Sequence, residues 1–201
     1  YLDKRENNLG LYGVKSELYL NDAITLYNLV SLTETDRRFV FGSFSSDGSF
    51  SGQDWTVDSY ATIKHSDNLT SAIGYKYEVE SLNISQVGVG DERDASQSSG
   101  DFYGEEKIQL KDLSLLLQGR YSNASKGAWT YDISATYPID NWKLATHFGT
   151  GFRNPSLYER YGAFLTGFGI FDIGNTNLSP EKSYTWDGTI QYSDKVNTVG
   201  I

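Results

Sequence analysis

Long runs of strict two-residue alternation constrain this chain more than any other feature of its 201 residues. Across 127–137, Trp129, Tyr131, Ile133, Ala135 and Tyr137 fall on one face of an extended backbone, and Thr130, Asp132, Ser134 and Thr136 on the other. Successive side chains of a strand point to opposite sides, so each such run has one apolar and one wet face. At 142–152, Trp142, Leu144, Thr146, Phe148 and Phe152 oppose Lys143, Ala145, His147, Gly149 and Gly151. The pattern recurs around Tyr184, Trp186, Ile190 and Tyr192, around Leu113, Leu115, Leu117 and Tyr121, around Leu69, Ile73, Tyr75, Tyr77 and Val79, and around Trp55, Val57, Ala61 and Ile63. Segments 9–20 and 23–34 alternate less cleanly, because Tyr27 and Leu29 compete with Ile24, Leu26, Val30 and Leu32 for the apolar face. The spacing predicts about ten strands of about 10–14 residues, longer than the roughly 5–6 usual in soluble sheets. No sustained 3.6-residue period competes, so no helix is expected, and Pro180-Glu181-Lys182 reads as the start of a strand.

The connectors are of two kinds. Asn21-Asp22, Ser66-Asp67-Asn68, Lys111-Asp112, Pro138-Ile139-Asp140-Asn141 and Ser193-Asp194-Lys195 have the chemistry of tight turns. Between them lie longer Gly/Ser-rich or charged stretches at 42–52, 82–102, 122–127 and 153–181, read as loops. Alternating short and long connections in an up-and-down antiparallel sheet place all short turns at one end and all long loops at the other, the asymmetry of outer-membrane barrels. One uninterrupted β segment over 1–201 is expected, with no linker inside it.

Composition narrows the function classes. Twenty-six acids against seventeen Lys and Arg give a net charge of -9, a poor match for nucleic acid. The absence of Cys removes disulfides and thiolate sites, and the absence of Met, with a start at Tyr1-Leu2, reads as a fragment or a processed product. No run approaches the roughly 20 apolar residues of a membrane helix and no leader opens the sequence, which leaves a β-barrel span open.

Which solvent the apolar face meets decides between two readings. A soluble β-rich binding or structural module, a sandwich or small barrel with no transport role, would bury it internally. A membrane barrel would turn it to lipid. The wet face carries Asp58, Lys64, Lys76, Glu78, Arg120, Asp132, Lys143 and Asp187, whereas the apolar face is rich in Tyr and Trp, rings suited to the headgroup level. The expected strands are long enough to cross a tilted hydrocarbon layer.

Two boxes sharpen the choice. The run 141–162, with Gly151, Phe152, Arg153, Pro155, Leu157, Tyr158 and Gly162, followed by 174–183, with Asn175, Asn177, Leu178, Pro180 and Glu181, resembles the barrel of TonB-dependent outer-membrane receptors. The chain departs from the family pattern at Asn154, usually Ala, and at Thr176, usually Pro. Weaker similarity extends over most of the chain. The resemblance implies an all-β antiparallel up-and-down barrel, of which about ten strands are present here, within a larger transmembrane barrel of about 22 strands. It further implies an N-terminal plug, TonB-supplied energy, location in the bacterial outer membrane, contact with its lipid, and import of a scarce nutrient resembling cobalamin or a ferric siderophore. Plug, TonB box and remaining strands are absent from this sequence, so the segment alone is not expected to transport, and its open edges invite self-association.

Candidate chemistry follows from that frame. Arg153, Tyr158, Arg160 and Tyr161 combine cations and aromatic faces suited to ligand contact, while Gly151, Pro155 and Gly162 suit a fixed loop geometry. His147 falls on the wet face, where it can meet cargo. Asp91, Glu92 and Asp94 offer oxygen ligands for Ca2+, but three acids around Arg93 fall short of the roughly six to eight oxygens calcium takes, so no metal and no cofactor is expected. Haem-uptake receptors of the family carry a His between the boxes; none lies between Phe152 and Leu178, which disfavours haem as cargo. His65, in a turn, reads as incidental. With two His and no nucleophile-elbow motif, enzyme function is not expected.

Overall fold

A computed structural model of the chain describes residues 4–41, 46–87, 91–124, 127–166, 169–194 and 198–200. The strands are β1 (Lys4–Tyr19), β2 (Ile24–Phe41), β3 (Ser46–Ser66), β4 (Leu69–Val87), β5 (Asp91–Leu110), β6 (Leu113–Ser122), β7 (Ala128–Ile139) and β8 (Trp142–Arg153). A short helix α1 (Leu157–Tyr161) and the strands β9 (Ala163–Thr166), β10 (Gly169–Asp172), β11 (Glu181–Ser193) and β12 (Thr198–Gly200) follow. Ten strands form one sheet in the order β1 to β8, then β11 and β12, each antiparallel to its neighbour, and β9 pairs with β10 apart from it. This is the expected up-and-down arrangement.

Tight turns join the strands at one end. Lys111 (φ 53°) and Asp140 (φ 51°) adopt the left-handed conformation that a two-residue hairpin requires. At the β1–β2 turn, Asn21 Oδ1 accepts from the backbone N–H of Ala23 and of Ile24, each at 2.9 Å. Lys195 of the expected turn after β11 lies outside the described residues.

Register settles the face of every strand, including the first two. Val14, Val30, Val57 and Tyr77 are successive partners in one row, and Leu117, Ile133, Phe148 and Trp186 in another. Asp58, Lys76, Asp101 and Ser122 share a row on the opposite face. Tyr27 belongs to the wet face, where it stacks on Tyr60 at 4.7 Å. The apolar faces do not meet in an internal core: Trp129 and Trp186 are each 75% exposed, and Leu, Ile, Val, Phe and Tyr side chains of their face are open beside them.

Burial is concentrated on the wet face instead, near the long-loop end. Ile84, Ala163 and Ile170 form a small buried cluster with Phe39, Phe50 and Leu82 packed against it, and Leu157 is fully buried. The segment between β8 and β11 thus folds back across the wet side of β2 to β5 as a strap.

Two expectations need correction. The stretches 42–52 and 82–102 are largely strand: β3 starts at Ser46, β4 runs to Val87 and β5 starts at Asp91, so β3 to β5 hold 21, 19 and 20 residues. Ser, Gly and Gln on both faces erase the alternation there, yet backbone pairing continues, as Ser49 opposite Ser85 and Asn83 opposite Asp94 show. The second correction is α1. Ser156 and Glu159 form a capping box, the Ser156 hydroxyl accepting from the Glu159 N–H and the Glu159 carboxylate accepting from the Ser156 N–H.

Candidate functional site

Between the wet face of β4 to β8 and the strap lies a cleft of about 660 Å³, lined by charged and hydroxylic side chains including Lys76, Glu80, Asp101, Arg120, Asn154 and Arg160. One cleft bounded by five successive strands and α1 means that the sheet curls toward its polar side. A curled sheet with a polar inner wall and apolar outer face inverts the layering of a soluble domain.

The strap owes its shape to the two boxes, which dock on each other. The Arg153 guanidinium, at the end of β8, donates to both Glu159 oxygens at 3.0 Å and to Glu181 on β11 at 3.0 and 3.1 Å. The Asn175 N–H donates to the Glu159 carbonyl at 2.9 Å, and the Gly162 carbonyl accepts from Ile173 and Gly174 at 3.1 and 2.9 Å. A side chain at Gly162 would collide with the Tyr158 carbonyl and one at Gly174 with the Arg160 backbone. Asn175 Oδ1 accepts from the Asn177 N–H at 3.0 Å, and the Asn175 carbonyl from Leu178 at 3.3 Å, turning the chain toward Pro180 and β11. The Glu159 carboxyl is pulled down from its ordinary 4.5 to about 2, chiefly by the Arg153 guanidinium and then by the Ser156 N–H and hydroxyl.

The candidate residues separate in this frame. Arg153 is committed to two carboxylates, and Tyr158, 46% exposed, lays its ring edgewise on Phe50 at 5.8 Å. Arg160 faces the cleft: it donates to Gln97 on β5 at 3.4 Å and lies 5.2 Å over the Tyr161 ring. Among the described residues no carboxylate is within ion-pair reach of it. Tyr161 lines a second hollow beside Leu82, Ile84 and Arg93. His147 stands lower on the wall, between Asp132 on β7, bonded to Nε2, and Asp187 on β11, 3.2 Å from Nδ1. Pro155, at the start of the strap, is buried.

The acidic run does not converge. Glu92 and Asp94 point to the outer side, where both accept from Asn83 Nδ2 at 2.8 and 2.7 Å, while Arg93 turns inward to Asp172. The Asp91 side chain lies outside the described residues. Among the described residues no three His, Asp or Glu groups come together as a metal site.

Sequence reading passed over Asp101 and Gln97, and took Arg120 only as a wet-face charge and Asn154 only as a departure from the family pattern. Asp101 is 2% exposed and pairs one oxygen with Arg120, while its Oδ1, like Asn154 Oδ1, meets no donor. Nothing in the alternation distinguishes Asp101, Gln97 and Arg120 from other wet-face residues, and Asn154 lies beyond the end of β8. The capping box at Ser156 and Glu159 was legible as a Ser-x-x-Glu pattern.

The fold and the cleft define a class: a wall segment of a large antiparallel transmembrane β-barrel with a loop folded over its polar lumen side. Residues 2–201 match the family model described as TonB dependent receptor-like, beta-barrel, and the chain belongs to that family, one of transport receptors rather than enzymes. A mutant of the ferric enterobactin receptor from Pseudomonas aeruginosa is similar in fold, with a TM-score of 0.78 at 15% identity over 98% of this chain and 34% of its own. The FrpB iron transporter from Neisseria meningitidis gives 0.76 at 12% identity over 98% and 35%. The RagAB peptide importer in its closed-closed state gives 0.72 at 13% identity over 99% and 30%. The chain thus spans about a third of the length of these solved relatives.

Proposed function

We propose that the chain forms part of the wall of an outer-membrane importer that binds an anionic nutrient chelate, ferric-siderophore-like in class, and moves it with TonB-supplied energy past a plug domain. Membership of the receptor family supports the transport role. The observation that carries the cargo reading is Arg160, a cation lining the cleft and held by an amide and a ring. A guanidinium with spare donors favours an anion over a neutral corrinoid. The exposed outer rings meet lipid, and the free edges of β1 and β12 pair with further strands of the barrel.

The test is uptake of radiolabelled ferric siderophore and of cobalamin by cells that express the complete receptor and lack their own. Siderophore uptake that requires TonB and falls about tenfold in Arg160→Ala is the expected result, the size of one lost charge-assisted hydrogen bond. Uptake of cobalamin alone would replace the cargo class, and uptake indifferent to TonB would remove the energy-coupled mechanism.

A further inference from the structure

The outer face carries an ionisable notch in one of its apolar rows, unlike the neutral Ser16–Asn28–Ser59 group on the same face. Ile63, Ser71, Glu106, Leu117 and Ile133 are successive register partners from β3 to β7. Ser71 Oγ donates to Glu106 Oε1 at 2.7 Å, which uses its only proton, so the 2.7 Å contact between Ser71 Oγ and His65 Nε2 has the histidine as donor. The His65 proton is thus spent on Ser71 and the Ser71 proton on the Glu106 carboxylate. Glu106 Oε2 is buried and has no hydrogen-bond partner, which leaves Oε1 to meet a group from outside, and among the described residues no cation pairs with Glu106. A carboxylate on a lipid-facing surface is costly unless something outside the protein answers its charge.

Depth and shape say what that is. Glu106 stands four residues before the end of β5 at Leu110, roughly 13 Å along the strand and about 9 Å above the short-turn rim at the usual tilt. That is headgroup depth. Immediately above it, Gly104 and Gly119 are partners on the same face. A Cβ placed on Gly119 meets nothing within 4 Å, and one on Gly104 meets only the Ala72 carbonyl at 3.6 Å, while Ile73 and Phe102, each 63% exposed, stand beside them. The face therefore has a shallow trough running from the notch toward the membrane interior.

We propose that this notch and trough bind a phospholipid with a primary ammonium headgroup, the ammonium on Glu106 and Ser71 beside His65 and one acyl chain over Gly104 and Gly119. The proposal rests on the membrane-spanning reading above. A primary ammonium supplies three donors to a site made of acceptors; a quaternary ammonium supplies none and a headgroup with only hydroxyls brings no charge.

The full chain, folded in detergent micelles, is challenged with phosphatidylethanolamine, phosphatidylcholine and phosphatidylglycerol, and retained lipid is read by native mass spectrometry. Phosphatidylethanolamine is retained about tenfold over the other two, the scale of a charge-assisted hydrogen bond at an interface. Glu106→Gln abolishes the preference, and Gly119→Leu, which fills the trough with Glu106 intact, weakens retention. Far-UV circular dichroism confirms the fold of each variant, and Ser71→Ala replaces Glu106→Gln should the latter fail to fold. Equal retention of the three lipids, or a preference that survives loss of the Glu106 charge, overturns the site while leaving the importer reading standing. A chain that folds and stays monomeric without detergent overturns both.

Discussion

Arg153 shows how one side chain decides between binding and building. Its guanidinium is a ligand candidate by residue type, yet all of its described hydrogen bonds go to Glu159 and Glu181, one carboxylate from each box. The residue thereby fixes where the strap leaves β8 and where it rejoins at β11, and Arg160, with no carboxylate in ion-pair reach among the described residues, is left to face the cleft. Arg153→Gln is expected to raise amide hydrogen exchange across 156–162 several-fold while leaving β4 to β6 unchanged, because the bidentate contact is lost and the sheet ladder is not. Acid tests the same clasp. Glu159 titrates near 2 in the folded chain against an ordinary 4.5, so its contribution is full above about 4.5 and is lost as pH falls toward 2. Exchange at Glu159, Arg160 and Gly162, corrected for intrinsic rates, should increase through that window. In Glu159→Gln the increase should be absent, since no carboxyl remains there to protonate.

Among the elements, the hairpins and α1 carry separate predictions. Asp140 links β7 to β8 in a left-handed conformation that costs most L-residues about 1–2 kcal/mol. Asp140→Gly should leave stability unchanged or raise it by up to about 1 kcal/mol, whereas Asp140→Val should lower it by at least about 1 kcal/mol. Urea unfolding in detergent distinguishes the two. Leu157, in the only helix among the described residues, is fully buried against the inner wall. Leu157→Ala is expected to cost about 2–5 kcal/mol of strap stability, read as protease cutting within 157–176 under conditions that leave the sheet intact. The strands were legible wherever one face is apolar and the other polar. Their outer extensions at 46–52, 82–87 and 91–101 were not, because a ladder paired in water needs no apolar face, and β5 over 91–101 holds only charged and small or polar residues. α1 was hidden for a different reason: five residues are too few to show a period, so only the cap announced it.

For the whole molecule the decisive property is the inversion of its layers. In the lipid-facing reading, Trp129 and Trp186 touch acyl chains, so brominated lipids should quench most of the fluorescence of the reconstituted chain, and an aqueous quencher little of it. The reverse result would assign the rings to water or to a partner protein. The period-two strands and their tight turns were enough to anticipate the antiparallel order of the ten-stranded sheet, though not the β9–β10 pair outside it. It could not anticipate the strap, because which strands a loop crosses depends on how far the sheet curls.

The amino-acid order alone determined the two faces of the cleanly alternating strands, the tight-turn positions and the family boxes, because each of these is set within a few residues along the chain. The three-dimensional structure alone decided that the boxes clasp each other, that Arg160 rather than Arg153 faces the cleft, and that Glu106 lies beside Ser71 and a glycine trough. Those are pairings between residues up to 63 positions apart, as in Arg160 and Gln97, and they exist only after strand register and curvature bring distant segments to the same height on the same side.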